Sequence, residues 1–324
     1  MSLAQVDSTA VKARAHELGV HLVGVARAEA LAGGAAGPEK VLHGSRSVVV
    51  LGRRMLRGAA RIGRSDSRAA HYSTEIGISE LEQQAMELCL WLEGQGHPSL
   101  VLPATSSRST QDDMAREGPI DLVQAAVAAG LGTMGLTGML LTEAYGPRVI
   151  LAAVLTYADL EPDARRTEAL CLGEACGRCV SVCPGGAGRQ WELDADACRP
   201  HSSPYGYWFM QRHLERIDAE PDPDKRWQMV RSSDTLMIWQ SMLRGVGVLT
   251  GCTRCLDVCP VGADYPAQLA DALDEIPAPL VEMNSAALAE MRARARKGER
   301  GPAFEARRGD IGHLAGDPTV GTSG

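Results

Sequence analysis

Val11, Ala15 and Leu18 recur at helical spacing behind Asp7 or Ser8 as N-cap, and Gly19 ends the pattern, which predicts a helix over 8–18. The apolar run HLVGVARA (21–28) and the β-branched run RSVVVLG (46–52), bounded by Gly44 and Gly52, predict two strands. Ile78, Leu81, Ala85, Leu88 and Leu92 form a second helical stripe, ended by Gly94 and Gly96, with Cys89 on it as a buried, inert thiol. SLVLPA (99–104) reads as a strand and DLVQAAVAAG (121–130) as a helix closed by Gly130; MLLT and RVILAAVLTY (148–157) read as a strand pair. Helices and strands alternate through residues 1–160, so an α/β or α+β layer is expected there. The polar stretch EPDARRTE, with Pro162, marks a boundary. Residues 161–265 are rich in cysteine and aromatics, and residues 266–324 offer two helical stretches and a Gly-rich, flexible tail.

Composition narrows the class. Hydrophobic residues at 45% and charged residues at 23% are those of a folded globular chain. A net charge of -7 and a pI near 5.7 supply no summed basic field, which makes nucleic acid an unlikely partner. No apolar run approaches the roughly 18 residues of a membrane span, and the opening residues lack an export signal, so a cytoplasmic location without a membrane partner is expected. Thiols in that compartment stay reduced, so nine cysteines point to metal rather than disulfides.

Eight of the nine lie between Cys171 and Cys259. One motif reads Cys171-LGEA-Cys176-GR-Cys179-VSV-Cys183-Pro184, the other Cys252-TR-Cys255-LDV-Cys259-Pro260, and Cys198 stands between them. Two copies of C-x2-C-x3-C-P are close to the bacterial ferredoxin run, in which the cysteine before proline crosses to the other cluster. That rule assigns Cys171, Cys176, Cys179 and Cys259 to one [4Fe-4S] cluster and Cys183, Cys198, Cys252 and Cys255 to a second. A regular run would carry cysteine at Gly173, which leaves a three-thiolate site as the alternative for the first cluster. Zinc in four-thiolate sites is the bland alternative, but zinc ribbons do not require the third cysteine followed by proline.

Together with an α/β N-terminal part, the stretch Ala129-Gly130-Leu131-Gly132-x-x-Gly135, the segment LTYADLEPD and the LDADAC segment carrying Cys198, these motifs resemble the epoxyqueuosine reductase and reductive dehalogenase family over residues 8–265. The resemblance implies an α+β fold: a nitroreductase-like α/β domain (1–160) that binds cobalamin, a ferredoxin-like dicluster module (161–265) with an aromatic-rich insertion (200–245), and C-terminal helices with a tail (266–324). It also implies electrons supplied by a low-potential donor, a ferredoxin, flavodoxin or reductase, and passed singly through two cubanes to the corrin for reductive cleavage of a carbon-heteroatom bond.

By the same resemblance, Gly130, Gly132 and Gly135, with the polar loop Thr105, Ser106, Ser107 and Arg108, approach the corrin plane. The glycines also fit a helix C-cap followed by an ordinary turn. His71-Tyr72 falls near an RDYH-like segment of the family, with Tyr72 as candidate proton donor; a packed Tyr-His pair fits as well. This chain departs from the family at Leu136, where a basic residue is usual, and at Arg116 before Pro119, where epoxyqueuosine reductases place a proton-donating aspartate; Asp112 and Asp113 lie near. The acidic charge and a C-terminus without helical-repeat character favour a small-molecule substrate over tRNA. Tyr205, Tyr207, Trp208, Phe209, Trp227 and Trp239 either wall a substrate pocket or form the insertion's core. A dicluster electron-transfer or activator protein without corrinoid is the competing reading.

Overall fold

The computed structural model describes residues 6–31, 37–60, 68–104, 120–189, 191–244, 251–265, 293–294 and 296–300. Its central feature is a four-stranded sheet of β1 (Leu22–Arg27), β2 (Ser47–Arg54), β3 (Ser99–Leu102) and β6 (Val149–Thr156), in the order β1-β2-β6-β3. Every neighbouring pair is antiparallel, with Val25 opposite Val49, Val50 opposite Ala153 and Val101 opposite Val154. The fold is therefore mixed α and β, and the antiparallel sheet takes it to the α+β side of the expected class.

The β-branched run of β2 explains why the sheet is covered on both faces. Side chains alternate along a strand. Val49 and Leu51 join Ala152 and Val154 under the helices Ser8–Glu17 and Arg68–Gly94, while Val48 and Val50 join Ala153 and Leu155 under the helix Leu122–Ala128. Leu81, Ala85, Leu88 and Leu92 are fully buried on the first face, as their spacing predicts. The long helix begins ten residues before Ile78, because the stripe marks only the part that reaches the core. Asp7 caps the first helix through Ala10 N–H, and Asp121 caps the third through the N–H groups of Val123 and Gln124.

The expected strand pair of MLLT and 148–157 is not formed. Leu140–Leu141 (β5) pairs instead with Thr133–Met134 (β4) in a separate hairpin, while β6 crosses to the centre of the sheet. Two apolar runs close in sequence looked like one hairpin; the turn at Thr142–Gly146 closes back on itself and sends the chain elsewhere. Cys89 is buried at 4% exposure in the first core layer, and burial, with Glu93 nearby, pushes its thiol up to about 12.

Leu88→Ala is expected to lower the stability of the apo chain by about 2–5 kcal/mol, as for a cavity in a filled layer. Urea denaturation measures it, and a loss below about 1 kcal/mol would contradict the packing described.

Candidate iron–sulfur site

The cysteine segment is built from short pieces: a turn at Gly173–Ala175, a helical turn Arg178–Ser181, the helix Ala195–Ser202 carrying Cys198, and a helical turn Arg254–Asp257. The thiols interact in two groups. An ionised Cys179 is opposed by Cys259, Cys176, Cys255 and Cys171, and an ionised Cys259 by Cys176 and Cys171. An ionised Cys255 is opposed by Cys252, Cys198 and Cys183, and Cys198 by Cys183 and Cys252. Among the interactions described, the Cys179–Cys255 pair is the one that crosses between the groups. Each group takes cysteines from both motifs, in the pattern of the cross-over rule. Among the described residues, no three His, Cys, Asp or Glu side chains converge as for a single metal ion.

Burial is the first cause that raises the thiols, with mutual repulsion added at Cys179, Cys255 and Cys259. Cys259 is pushed up to about 12. Such thiols ionise only when a metal takes the proton's place, so loading either group releases protons. Backbone N–H groups are already aimed at the sulfurs. Gly173 donates to Cys171 Sγ at 3.3 Å and Ala187 to Cys183 Sγ at 3.2 Å. Leu136 also donates to Cys171, Arg178 to Cys176, Arg254 to Cys252 and Val261 to Cys259. Gly173 therefore replaces a cysteine of the regular run with a donor: its φ of +56° is left-handed, and its N–H faces Cys171. Four thiols, with N–H donors on three sulfurs of the first group and two of the second, fit a cubane in each group.

The α/β part reaches this segment through two loops. Arg148, at the mouth of β6, is 3% exposed. Its Nε and Nη2 donate to Asp264 Oδ2 and Oδ1 at 3.0 and 2.6 Å, Nη1 to the carbonyls of Leu256 and Cys259 at 3.0 Å each, and Nη2 to Val261 O at 2.8 Å. All five donors of a guanidinium are thus used. Ala263 and Asp264 N–H return to the carbonyls of Glu143 and Ala144 at 2.9 and 3.1 Å. The second loop is the β4–β5 hairpin: Leu136 meets Cys171, and Met139 Sδ lies 3.9 Å from Cys255 Sγ. Leu136 is buried at 2%, so the position where the family carries a basic residue is a packing position here.

The glycines of the expected corrin loop are filled by the chain's own backbone. A Cβ on Gly132 would stand 1.9 Å from Leu141 O, one on Gly130 (φ +70°) 2.5 Å from Ala164 O, and one on Gly135 3.1 Å from the Leu141 side chain. Thr105, Ser106 and Arg108 lie outside the described residues, as do Asp112, Asp113 and Arg116. His71 is buried and Tyr72 half-buried in the first turns of the long helix, where consecutive side chains do not face each other. In the insertion, Tyr205 meets Phe209 edge-on and Phe209 stacks on His213, whereas Trp227 and Trp239 are more than half exposed and belong to no packed core.

No family model matches the chain. Epoxyqueuosine reductase of Gloeobacter violaceus is 30% identical over 202 residues, covering 55% of this chain and 59% of that protein. Tetrachloroethene reductive dehalogenase of Desulfitobacterium hafniense is 34% identical over 90 residues, 26% of this chain and 16% of its own. A B12-dependent reductive dehalogenase structure aligns over 91% of this chain and 36% of its own, with TM-score 0.52 and 17% identity, a likeness of fold. The chain spans between a half and three fifths of the curated epoxyqueuosine reductases it matches. Sequence and fold thus both bear out the resemblance to epoxyqueuosine reductases and reductive dehalogenases, all of them named as reductive enzymes.

One expectation is corrected. A crystal structure of epoxyqueuosine reductase with an epoxyqueuosine-modified tRNA stem loop is also among the similar structures, at 18% identity, 92% of this chain, 78% of its own and TM-score 0.46, so nucleic acid is not an unlikely partner class. The reason is physical: a charge of -7 is a sum over the chain, whereas phosphate contacts depend on a local basic surface. No helix among the described residues is long and apolar enough to cross a membrane.

Arg148, Asp264, Tyr265 and Arg178 were not singled out by sequence. The repeated Arg-Cys in Gly177-Arg178-Cys179 and Thr253-Arg254-Cys255 was the available signal. Arg148→Met, which strands the Asp264 carboxylate, is expected to cost about 3–5 kcal/mol. Urea denaturation of the apo chain reads it, with faster hydrogen exchange over 256–265; unchanged exchange there would contradict the clamp. Cys171→Ser is expected to halve the iron bound after anaerobic reconstitution, and Cys89→Ala to leave it unchanged; full iron in Cys171→Ser would mean that cysteine is not a ligand.

Proposed function

We propose that the chain is an iron–sulfur reductase that uses electrons, delivered singly through two [4Fe-4S] clusters from a low-potential ferredoxin, flavodoxin or reductase, for reductive cleavage of a carbon-heteroatom bond. The observation that carries it is the sorting of eight thiols into two quartets that each mix both motifs. The clusters, when bound, supply one-electron transfer at low potential. The chain's part is to hold each quartet deprotonated around its cluster, to stabilise the sulfurs with N–H donors, and to keep the second cysteine loop locked to the sheet through Arg148.

The division into a nitroreductase-like α/β unit and a ferredoxin-like module belongs to the same proposal. Cobalamin enters it through the resemblance alone, and no step is derived through it. The own-backbone filling of Gly130 and Gly132 is the observation that favours the second reading, a dicluster electron-transfer protein without corrinoid.

The experiment is anaerobic reconstitution with iron, sulfide and hydroxocobalamin, followed by desalting, metal analysis and a reduced-viologen assay. One arm carries an epoxyqueuosine-modified tRNA stem loop and another a panel of halogenated aromatics and alkenes. About one retained cobalt per chain, with viologen oxidation that depends on either substrate class, is the expected result. Iron without cobalt and without substrate-dependent oxidation would contradict the reductase and leave the electron carrier.

A further inference from the structure

The two cysteine motifs are copies of one pattern, C-x-R-C-x-x-V-C-P, yet the structure treats their arginines differently. Arg178 is 3% exposed and Arg254 is exposed. Arg178 begins the helical turn Arg178–Ser181, its backbone N–H donates to Cys176, and its Nη1 donates to Tyr265 OH at 3.1 Å. Tyr265 is itself buried, at 7%, and the guanidinium of Arg148 stands 5.8 Å from its ring centroid. Arg148 in turn holds the carbonyl of Cys259. Two buried guanidinium groups and the phenol between them therefore line the Cys171, Cys176, Cys179 and Cys259 group.

The other group is lined differently. Its copy of the arginine is exposed and acts on Cys252 from the surface, and the position matching Ser181 is Asp257, half-buried and hydrogen-bonded by Thr253 Oγ1 at 2.8 Å. Asp194, at the cap of the helix that carries Cys198, adds a second carboxylate, itself paired with the exposed Arg189. Charge, hydrogen bonding and exposure are the levers that set a cluster's potential, and a buried cation stabilises the more negative, reduced cluster. An exposed cation is screened by water and salt.

We propose that Arg178 is a positioning residue that raises the reduction potential of the cluster held by Cys171, Cys176, Cys179 and Cys259 above that of the cluster held by Cys183, Cys198, Cys252 and Cys255. The inference rests on the two-cluster reading. One electron then runs downhill from the second group's cluster, which is oxidised, to the first group's, which is reduced, with no proton or leaving group exchanged. The direction is inward, since Cys176 is the buried thiol of the set and each loop of the α/β part reaches the first group, Leu136 at Cys171 and Arg148 at the Cys259 carbonyl, while Met139 of the hairpin touches Cys255 of the second.

The test is an EPR-monitored redox titration of the reconstituted full chain at one pH and ionic strength. The wild type is expected to show two separate midpoints, and Cys198→Ser, which keeps only the first group's cluster, to retain the higher one. Arg178→Gln is expected to lower that midpoint so that the oxidised-to-reduced ratio at a fixed potential rises about tenfold, which is about 59 mV for a one-electron couple. Arg178→Lys is expected to restore most of it, and Arg254→Gln to shift neither midpoint by as much as about twofold. A single merged midpoint in the wild type, the lower midpoint in Cys198→Ser, or equal shifts from Arg178→Gln and Arg254→Gln would overturn the proposal. If Arg178→Gln loses iron, the wild-type and Cys198→Ser titrations decide it alone. A wild type that binds no cubane fails the two-cluster reading itself, a result distinct from all of these.

Discussion

The guanidinium of Arg148 holds the two parts of this protein in one arrangement. It leaves the central sheet at the mouth of β6 and spends every donor on the second cysteine loop: a bidentate carboxylate at Asp264 and three backbone carbonyls. The carbonyls of Cys259 and Val261 accept from nothing else among the contacts described, Leu256 O takes only the helical turn's own N–H groups besides, and a loop of short turns has little apolar surface with which to hold itself. A buried ion pair of this kind contributes geometry more than net stability, because desolvation offsets much of its Coulombic gain. Geometry is what cluster ligands need. Cys259 sits in the clamped loop and belongs with cysteines of the other motif, so the placement of one quartet depends on a residue outside both motifs.

The same logic explains why the hairpin β4–β5 is glycine-dense. Its glycines let strand meet strand and linker at distances that a Cβ would block, and the compact hairpin then lays Leu136 and Met139 against the two thiol groups. The buried Leu136 seals that contact. The apolar contacts of Leu136 and Met139 beside Cys171 and Cys255 lower the local dielectric there, which strengthens hydrogen bonds to sulfur.

Much of this was legible in the sequence because its signals are local. The β-branched run 48–51 and the stripe Leu81, Ala85, Leu88 and Leu92 name their core faces directly. The spacing of the cysteine motifs points to the proposed quartets, because a C-x2-C turn and a cysteine before proline have few geometries open to them. What stayed hidden depends on contacts far apart in the chain. Arg148 and Asp264 are 116 residues apart, and nothing near either one marks it as a partner. The strand partner of β6 was misread for the same reason: MLLT lies close by, whereas Ser47–Arg54 supplies the longer apolar match. Whole-chain charge misled about nucleic acid, since a sum carries no information on where charges lie.

The central claim is that the eight cysteines of residues 171–259 hold two cubanes, one in each quartet. Mössbauer spectroscopy of the full chain, reconstituted anaerobically with 57Fe, tests this most directly. The account expects about eight iron atoms per chain, all in the spectral signature of [4Fe-4S] clusters and divided equally between two sites. Mononuclear iron in thiolate sites, or a single cubane that accounts for all the bound iron, would contradict it.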